Sequence, residues 1–247
     1  LNVSTRGFLA VSIVAVCAAF LASGAQAASY QVVTVSDGGS IEGVVKLSGP
    51  APAVPEIKTT KNQDYCGKEI VNPLYVVGKD GGLKNVEVFL KGIEKGKANP
   101  EGEILLSNHK CMFDPRVQAA TVGQKIKIAS LDPIIHNTHP QVASTNATLY
   151  NIALPYKGFS VEKPLPSIPE LIRVKCDVHE WMRAWIWIFD QPYYATTDDE
   201  GHFKIADVPP GSYTLVAWHE VMGEEEHPVS VSAGKATTVD FSFTPKK

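Results

Sequence analysis

Apolar and polar positions alternate in short runs along most of this chain, and Gly, Pro, Asn or Asp cuts the runs every few residues. Residues 41–47, 86–90, 125–129, 171–175 and 184–189 read as strands of this kind. Successive side chains of a pleated strand point to opposite faces, so a period of two marks a half-buried strand. No window of helical length keeps the helical apolar period. The pattern therefore predicts an all-β, sandwich-like protein. In 184–189, Trp185 and Trp187 share one face while Ala184, Ile186 and Ile188 share the other. Both faces are apolar, which predicts a strand buried between two layers. The proline-rich stretch 163–169 reads as a loop feeding the strand that ends at Cys176, since each Pro removes a ladder donor and restricts the residue before it.

The first residues break this pattern. Arg6 is followed by an apolar run over 8–21 and by Ala25-Gln26-Ala27, the charged, apolar and small-residue succession of a secretory signal peptide. Residues 1–27 are thus expected to be a signal peptide, and the protein an exported one, periplasmic or at the cell surface. The chain carries 23 Lys and Arg against 26 Asp and Glu, a formal net charge of −3. That mild acidic excess argues against nucleic acid and anionic membranes as partners. Beyond the leader, a composition shift at Asp190-Gln191-Pro192 divides the chain into residues 28–190 and 191–247, two units each long enough to bury a core.

The densest chemistry lies in Cys176-Asp177-Val178-His179-Glu180-Trp181-Met182, between the strands 171–175 and 184–189. A loop of that length gathers a thiolate, an imidazole and a thioether around one point while two strands hold its base. One thiolate, two imidazoles and a weak axial Met make a copper electron-transfer site. A second imidazole is available after the strand 125–129, at His136 or at His139. Zinc also takes Cys and His, though rarely Met. Cys66 and Cys111 suit a disulfide in an oxidising compartment; His109 and Cys111 fall on one strand face, so a second metal set of His109, Cys111 and Cys66 stays open. His219 and His227 bracket an acidic run that reads as a solvated loop. The sequence contains no Cys-x-x-Cys-His, phosphate-binding Gly loop, Gly-x-Ser-x-Gly or His-Glu-x-x-His motif, and no enzymatic activity is expected.

His136-Asn137 upstream and Cys-x-x-His-x-x-Met downstream resemble the cupredoxins, and the short ligand loop is most similar to that of amicyanin. The resemblance covers roughly residues 110–190. It implies a Greek-key β-sandwich with His136 and His179 as the imidazole ligands, Cys176 as thiolate and Met182 as axial ligand to one copper ion cycling between Cu(I) and Cu(II). It also implies that Asn137 hydrogen-bonds near the sulfur and ties the two ligand loops together, and it prefers His136 over His139. Trp181 is expected to offer a docking surface over the metal edge. The implied function is single-electron transfer between periplasmic or cell-surface redox proteins such as c-type cytochromes, with no small-molecule substrate. The alternative is a binding, adhesion or copper-delivery module on the same fold.

A second resemblance covers residues 183–243, where Thr197-Asp198-Asp199-Glu200-Gly201-His202-Phe203 and Val208-Pro209-Pro210-Gly211-Ser212-Tyr213 are similar to the carboxypeptidase regulatory-like, transthyretin-like β-sandwich family. That family opens on a Gly-x-Ile-x-Gly-x-Val strand. Here the pattern stands far away, at Gly39-Ser40-Ile41-Glu42-Gly43-Val44-Val45. The strand 41–47 either packs onto the C-terminal module or belongs to the copper domain.

Overall fold

The computed structural model describes Leu1 and residues 30–245; apart from Leu1, the expected signal peptide lies outside the described residues. Two β-sandwiches make up the fold. In the first, a sheet ordered Ser160–Pro164, Lys125–Ser130, Glu103–His109, Met112–Asp114 faces a five-stranded sheet ordered Ile152–Leu154, His136–Val142, Glu170–Lys175, Arg183–Phe189, Val117–Thr121. Alternation decides what fills the space between them. Leu106, Ile126, Ile128, Ile172, Val174, Ala184, Ile186 and Ile188 turn inward to one apolar core, and Cys176 and Met182 belong to the same core.

The second sandwich redraws the division expected at residue 190. Its sheets are Tyr194–Thr196, Glu87–Lys91, Gly211–His219, Gly223–Val231 and His202–Val208, Gly39–Leu47, Ala236–Thr238, with Phe241–Phe243 continuing alongside Gly39–Leu47. Two N-terminal strands thus sit among C-terminal ones. Gly39–Leu47 pairs antiparallel with His202–Val208 and parallel with the two last strands, which answers where the displaced Gly-x-Ile-x-Gly-x-Val pattern packs. Its central glycine has a steric reason: a Cβ on Gly43 would lie 1.9 Å from the Val239 carbonyl oxygen of the crossing chain. Glu87–Lys91, expected within the first unit, pairs with Gly211–His219 and Tyr194–Thr196 instead. The physical reason is an open sheet edge between those strands, to which local sequence carries no address.

The hairpin Gly211–His219/Gly223–Val231 also corrects the reading of 219–227 as a solvated loop. Glu224 and Glu226 do project outward from a strand, but His219 is buried against Tyr75, with ring centroids 5.7 Å apart. Burial holds its imidazole down, to about 4.

The seam between the sandwiches is aromatic. Trp185 and Trp187, on the outward face of Arg183–Phe189, pack with Phe89, Phe189, Trp218 and Tyr194. Trp218 meets Trp185 and Trp187 edge to face at 5.6 and 5.7 Å. Arg116 of the first sandwich clamps Glu220 of the second through two hydrogen bonds, and Trp185 Nε1 donates to Glu220 Oε2 at 3.0 Å.

One two-residue turn matters for the site. Glu103–His109 and Met112–Asp114 are joined by Lys110 and Cys111, both at positive φ (51° and 58°). Two consecutive left-handed residues give the mirror-image turn whose twist suits a hairpin. Asn-Gly usually occupies it, because a Cβ is disfavoured there. Here the turn aims two backbone N–H groups at one buried carboxylate.

Candidate metal centre

Each donor stands where a strand ends. His136 opens the strand His136–Val142. Cys176 follows Glu170–Lys175, and the loop to Arg183 folds back so that the Met182 N–H donates to the His179 carbonyl at 2.9 Å. The side chains of His136, Cys176 and His179 are buried, and their donor atoms lie within 4.8 Å of one another. His179 Nδ1 is 3.0 Å from His136 Nδ1 and 3.9 Å from Cys176 Sγ. Such spacings match atoms sharing one ion at about 2.0–2.3 Å each. Met182 is fully buried in the core that also contains Cys176.

The outer nitrogens determine what this cluster can hold. His136 Nε2–H donates to Asp132 Oδ2 at 3.0 Å, and a carboxylate only accepts. His179 Nε2–H donates to Asn62 Oδ1 at 2.9 Å. With the protons placed on both Nε2 atoms, two Nδ1 lone pairs and a sulfur converge on one point. Burial raises the Cys176 thiol, but the adjoining His136 and His179 rings and hydrogen bonds from the backbone N–H groups of Asn137 and His179 bring it down to about 6. Two lone pairs and a thiolate in a dry pocket repel one another unless a cation sits between them. The donor set therefore fits a metal ion.

Asp132 is well prepared for its part. Although buried, it accepts from the backbone N–H groups of Lys110 (2.7 Å) and Cys111 (2.8 Å) and from the Tyr65 hydroxyl (2.8 Å). Burial alone would raise this carboxyl; the bonds from His136, Cys111, Tyr65 and Lys110 overcome that and hold it at about 2. Asn137 ties the loops together. Its Oδ1 accepts from the N–H groups of Asp177 (2.7 Å) and Val178 (3.2 Å), and its Nδ2 donates to Asp177 Oδ2 (3.0 Å). The Asn137 N–H and the His179 N–H both point at Cys176 Sγ, at 3.5 and 3.3 Å.

The other singled-out residues fall elsewhere. His139 is outside the cluster, bonded through Nδ1 to Asp177 and through Nε2 to Thr148. Cys66 and Cys111 are joined by a disulfide, which removes both sulfurs from the metal set drawn with His109. Trp181, expected to offer a docking surface, is half-buried: its Nε1–H donates to the Cys111 carbonyl at 3.0 Å, and its ring lies 5.0 Å from that of His179. A side chain with an apolar body and a polar tip can pack on the core and bond that buried carbonyl while one edge stays in contact with water. Sequence reasoning missed Asn62, Tyr65 and Asp132. Asp132 stood four residues before His136, but nothing local ties a carboxylate at that spacing to an imidazole on a strand.

Residues 183–244 match the carboxypeptidase regulatory-like domain family. The match opens on Arg183–Phe189 of the first sandwich and runs through the C-terminal part of the second. No curated protein matches the chain. Among solved structures it is similar to the copper-containing nitrite reductase of Thermus scotoductus SA-01, at 16% identity and a TM-score of 0.30, over 36% of this chain and 23% of that one. The chain thus spans less than a quarter of that reductase. It is also similar to a reduced amicyanin variant (17% identity, TM-score 0.32, covering 35% of this chain and 82% of that one) and to an oxidised one (18%, 0.31, 35% and 81%). At TM-scores of this size the likeness carries no weight of its own. Fold and site define an all-β protein of two sandwiches, one bearing a buried His-Cys-His set able to hold a metal. The residues that match the carboxypeptidase regulatory-like family model run from the strand Arg183–Phe189 of that sandwich into the second.

Proposed function

We propose that this chain is an exported mononuclear copper protein that passes single electrons between periplasmic or cell-surface redox proteins, with c-type cytochromes as the partner class. The observation that carries the reading is the convergence of two Nδ1 lone pairs and the Cys176 sulfur within 4.8 Å of one another, each imidazole fixed as the Nε2–H form by an outer acceptor. Copper bound there would supply one-electron chemistry between Cu(I) and Cu(II). The ligands His136, Cys176 and His179 with axial Met182 suit both states, because soft sulfur favours Cu(I) and imidazole accepts either. Asn137 and the backbone N–H groups on Cys176 hold the thiolate in one position whatever the charge of the ion. Protein side chains account for four ligands, so no activity as an enzyme on a small-molecule substrate is proposed. The C-terminal module would serve to seat the centre against a partner or surface.

The test is the absorption and EPR spectrum of the chain without its leader, loaded with Cu(II), reduced with ascorbate and reoxidised. An intense thiolate-to-copper band that bleaches and returns, and that Cys176→Ala abolishes, is the expected result. A colourless protein, or a copper that does not cycle, would overturn the electron-transfer reading in favour of a binding or copper-delivery module.

A further inference from the structure

One surface segment reaches the outer side of both histidines. Residues 57–70 form a flap made of the strand pair Ile57–Lys58 and Glu69–Ile70 around a single helical turn, Gln63–Cys66. The flap is stapled internally: Thr59 N–H donates to the Lys68 carbonyl, Thr59 Oγ1 to the Gly67 carbonyl, and Gln63 Nε2 to the Thr59 carbonyl. Its tip then makes three contacts across the sequence. Cys66 is bonded to Cys111, the Tyr65 hydroxyl donates to Asp132 Oδ1, and Asn62 Oδ1 accepts from His179 Nε2. All three land on the metal centre's outer face, since the Cys111 N–H also donates to Asp132 and Asp132 holds His136. Asn62 sits at φ 50° and ψ 39°, the left-handed region that Asn tolerates better than most residues. That conformation starts the helical turn and leaves the carboxamide free to face the imidazole. His179 is 0% exposed in consequence.

We infer that the disulfide-clamped flap 57–70 is the outer support of the metal centre, with Asn62 as the positioning residue for His179 and Tyr65, through Asp132, as the positioning residue for His136. The inference rests on the copper reading for its metal-linked part and on hydrogen bonding alone for the rest. The flap sets which nitrogen of each ring carries the proton. It also covers the His179 edge, so copper leaves the centre only after Asn62 has moved. Outer partners of metal-bound histidines govern metal affinity by about 10- to 100-fold.

Asn62→Gly tests this without disturbing the fold, because Gly adopts the same left-handed backbone at no cost and only the carboxamide is lost. Asn62→Asp is the conservative control, since it keeps the accepting oxygen. In copper-free protein, the His179 Nε2–H resonance should exchange slowly with water in the wild type and in Asn62→Asp, and be lost to exchange in Asn62→Gly. In Cu(I)-loaded protein, transfer of the metal to bathocuproine disulfonate should be about tenfold or more faster for Asn62→Gly than for the other two. The double variant Cys66→Ala with Cys111→Ala should accelerate it likewise. Equal exchange and equal copper release in wild type and Asn62→Gly, with unchanged urea midpoints, would overturn the inference. A wild type that takes up no copper but protects the His179 N–H would instead sink the copper reading and leave the flap's role on the imidazole standing.

Discussion

Glu87 is the sharpest place to test the energetics of the seam. It lies on the strand Glu87–Lys91, and alternation places it on the same face as Phe89, toward the aromatic cluster between the sandwiches. It is 0% exposed; Oε2 accepts the Thr196 hydroxyl at 2.6 Å, and Oε1 has no partner among the described residues. Burial pushes its carboxyl up from 4.5 to about 8, against the smaller lowering effect of the Thr196 bond. Below pH 4.5 the folded and unfolded chains both keep the proton, and the contribution of this group to stability is fully present. As pH rises the unfolded chain sheds the proton first, so stability falls until the folded carboxyl itself ionises near 8. Each pH unit in that window costs about 1.4 kcal/mol, which comes to about 3 kcal/mol by pH 7 and about 5 kcal/mol at most above pH 8. Glu87→Gln keeps the oxygen that accepts from Thr196 and has nothing to ionise. Its stability relative to wild type should therefore climb by about 3–4 kcal/mol between pH 5 and pH 8. Urea unfolding followed by the fluorescence of the seam tryptophans measures both. The slope of the difference is the test, because any fixed cost of the amide cancels. A difference that stays the same at pH 5 and pH 8 would mean that water reaches Glu87 in the folded state, and the account of a dry seam would fall.

Two further predictions concern how the parts are held together. Glu220→Gln leaves the Arg116 guanidinium, whose side chain is 9% exposed, without its counter-charge; it should cost about 3–5 kcal/mol in urea unfolding, whereas a loss below about 1 kcal/mol would show that Arg116 escapes to solvent. Removing the Cys66–Cys111 disulfide as the double Ala variant releases a loop spanning 45 positions. Chain entropy puts the loss at about 4 kcal/mol, read from the shift in urea midpoint, and an unchanged midpoint would mean that the flap's hydrogen bonds hold it without the covalent link.

Much of the architecture is legible along the chain. The alternation in 171–175 and 184–189 appears as the strands Glu170–Lys175 and Arg183–Phe189, because a period of two is a local property that one buried face enforces. The two apolar faces of Trp185, Trp187 and Ile186 foretell a strand with a core on one side and a seam on the other. Cys176 and His179 meet because they share one loop, so their spacing in sequence already limits their spacing in space. His136 was legible through a resemblance to a family rather than through geometry, and Asp132 was in plain view without a role.

What only the tertiary structure decided are the pairings that cross long stretches of chain. Gly39–Leu47 and Glu87–Lys91 complete a sandwich whose other strands begin at Tyr194, and an open sheet edge is a row of backbone groups that carries no side-chain signature. Asn62 reaches His179 over 117 positions and Tyr65 reaches Asp132 over 67. Each of those contacts is one hydrogen bond, too weak to leave a pattern in composition or period. They exist because the hairpin turn at Lys110–Cys111 and the disulfide bring the flap to the same face as the ligands. Residue type and local spacing thus determined the chemistry available to the chain, while the crossing of distant segments determined which nitrogen of each histidine is left free to use it.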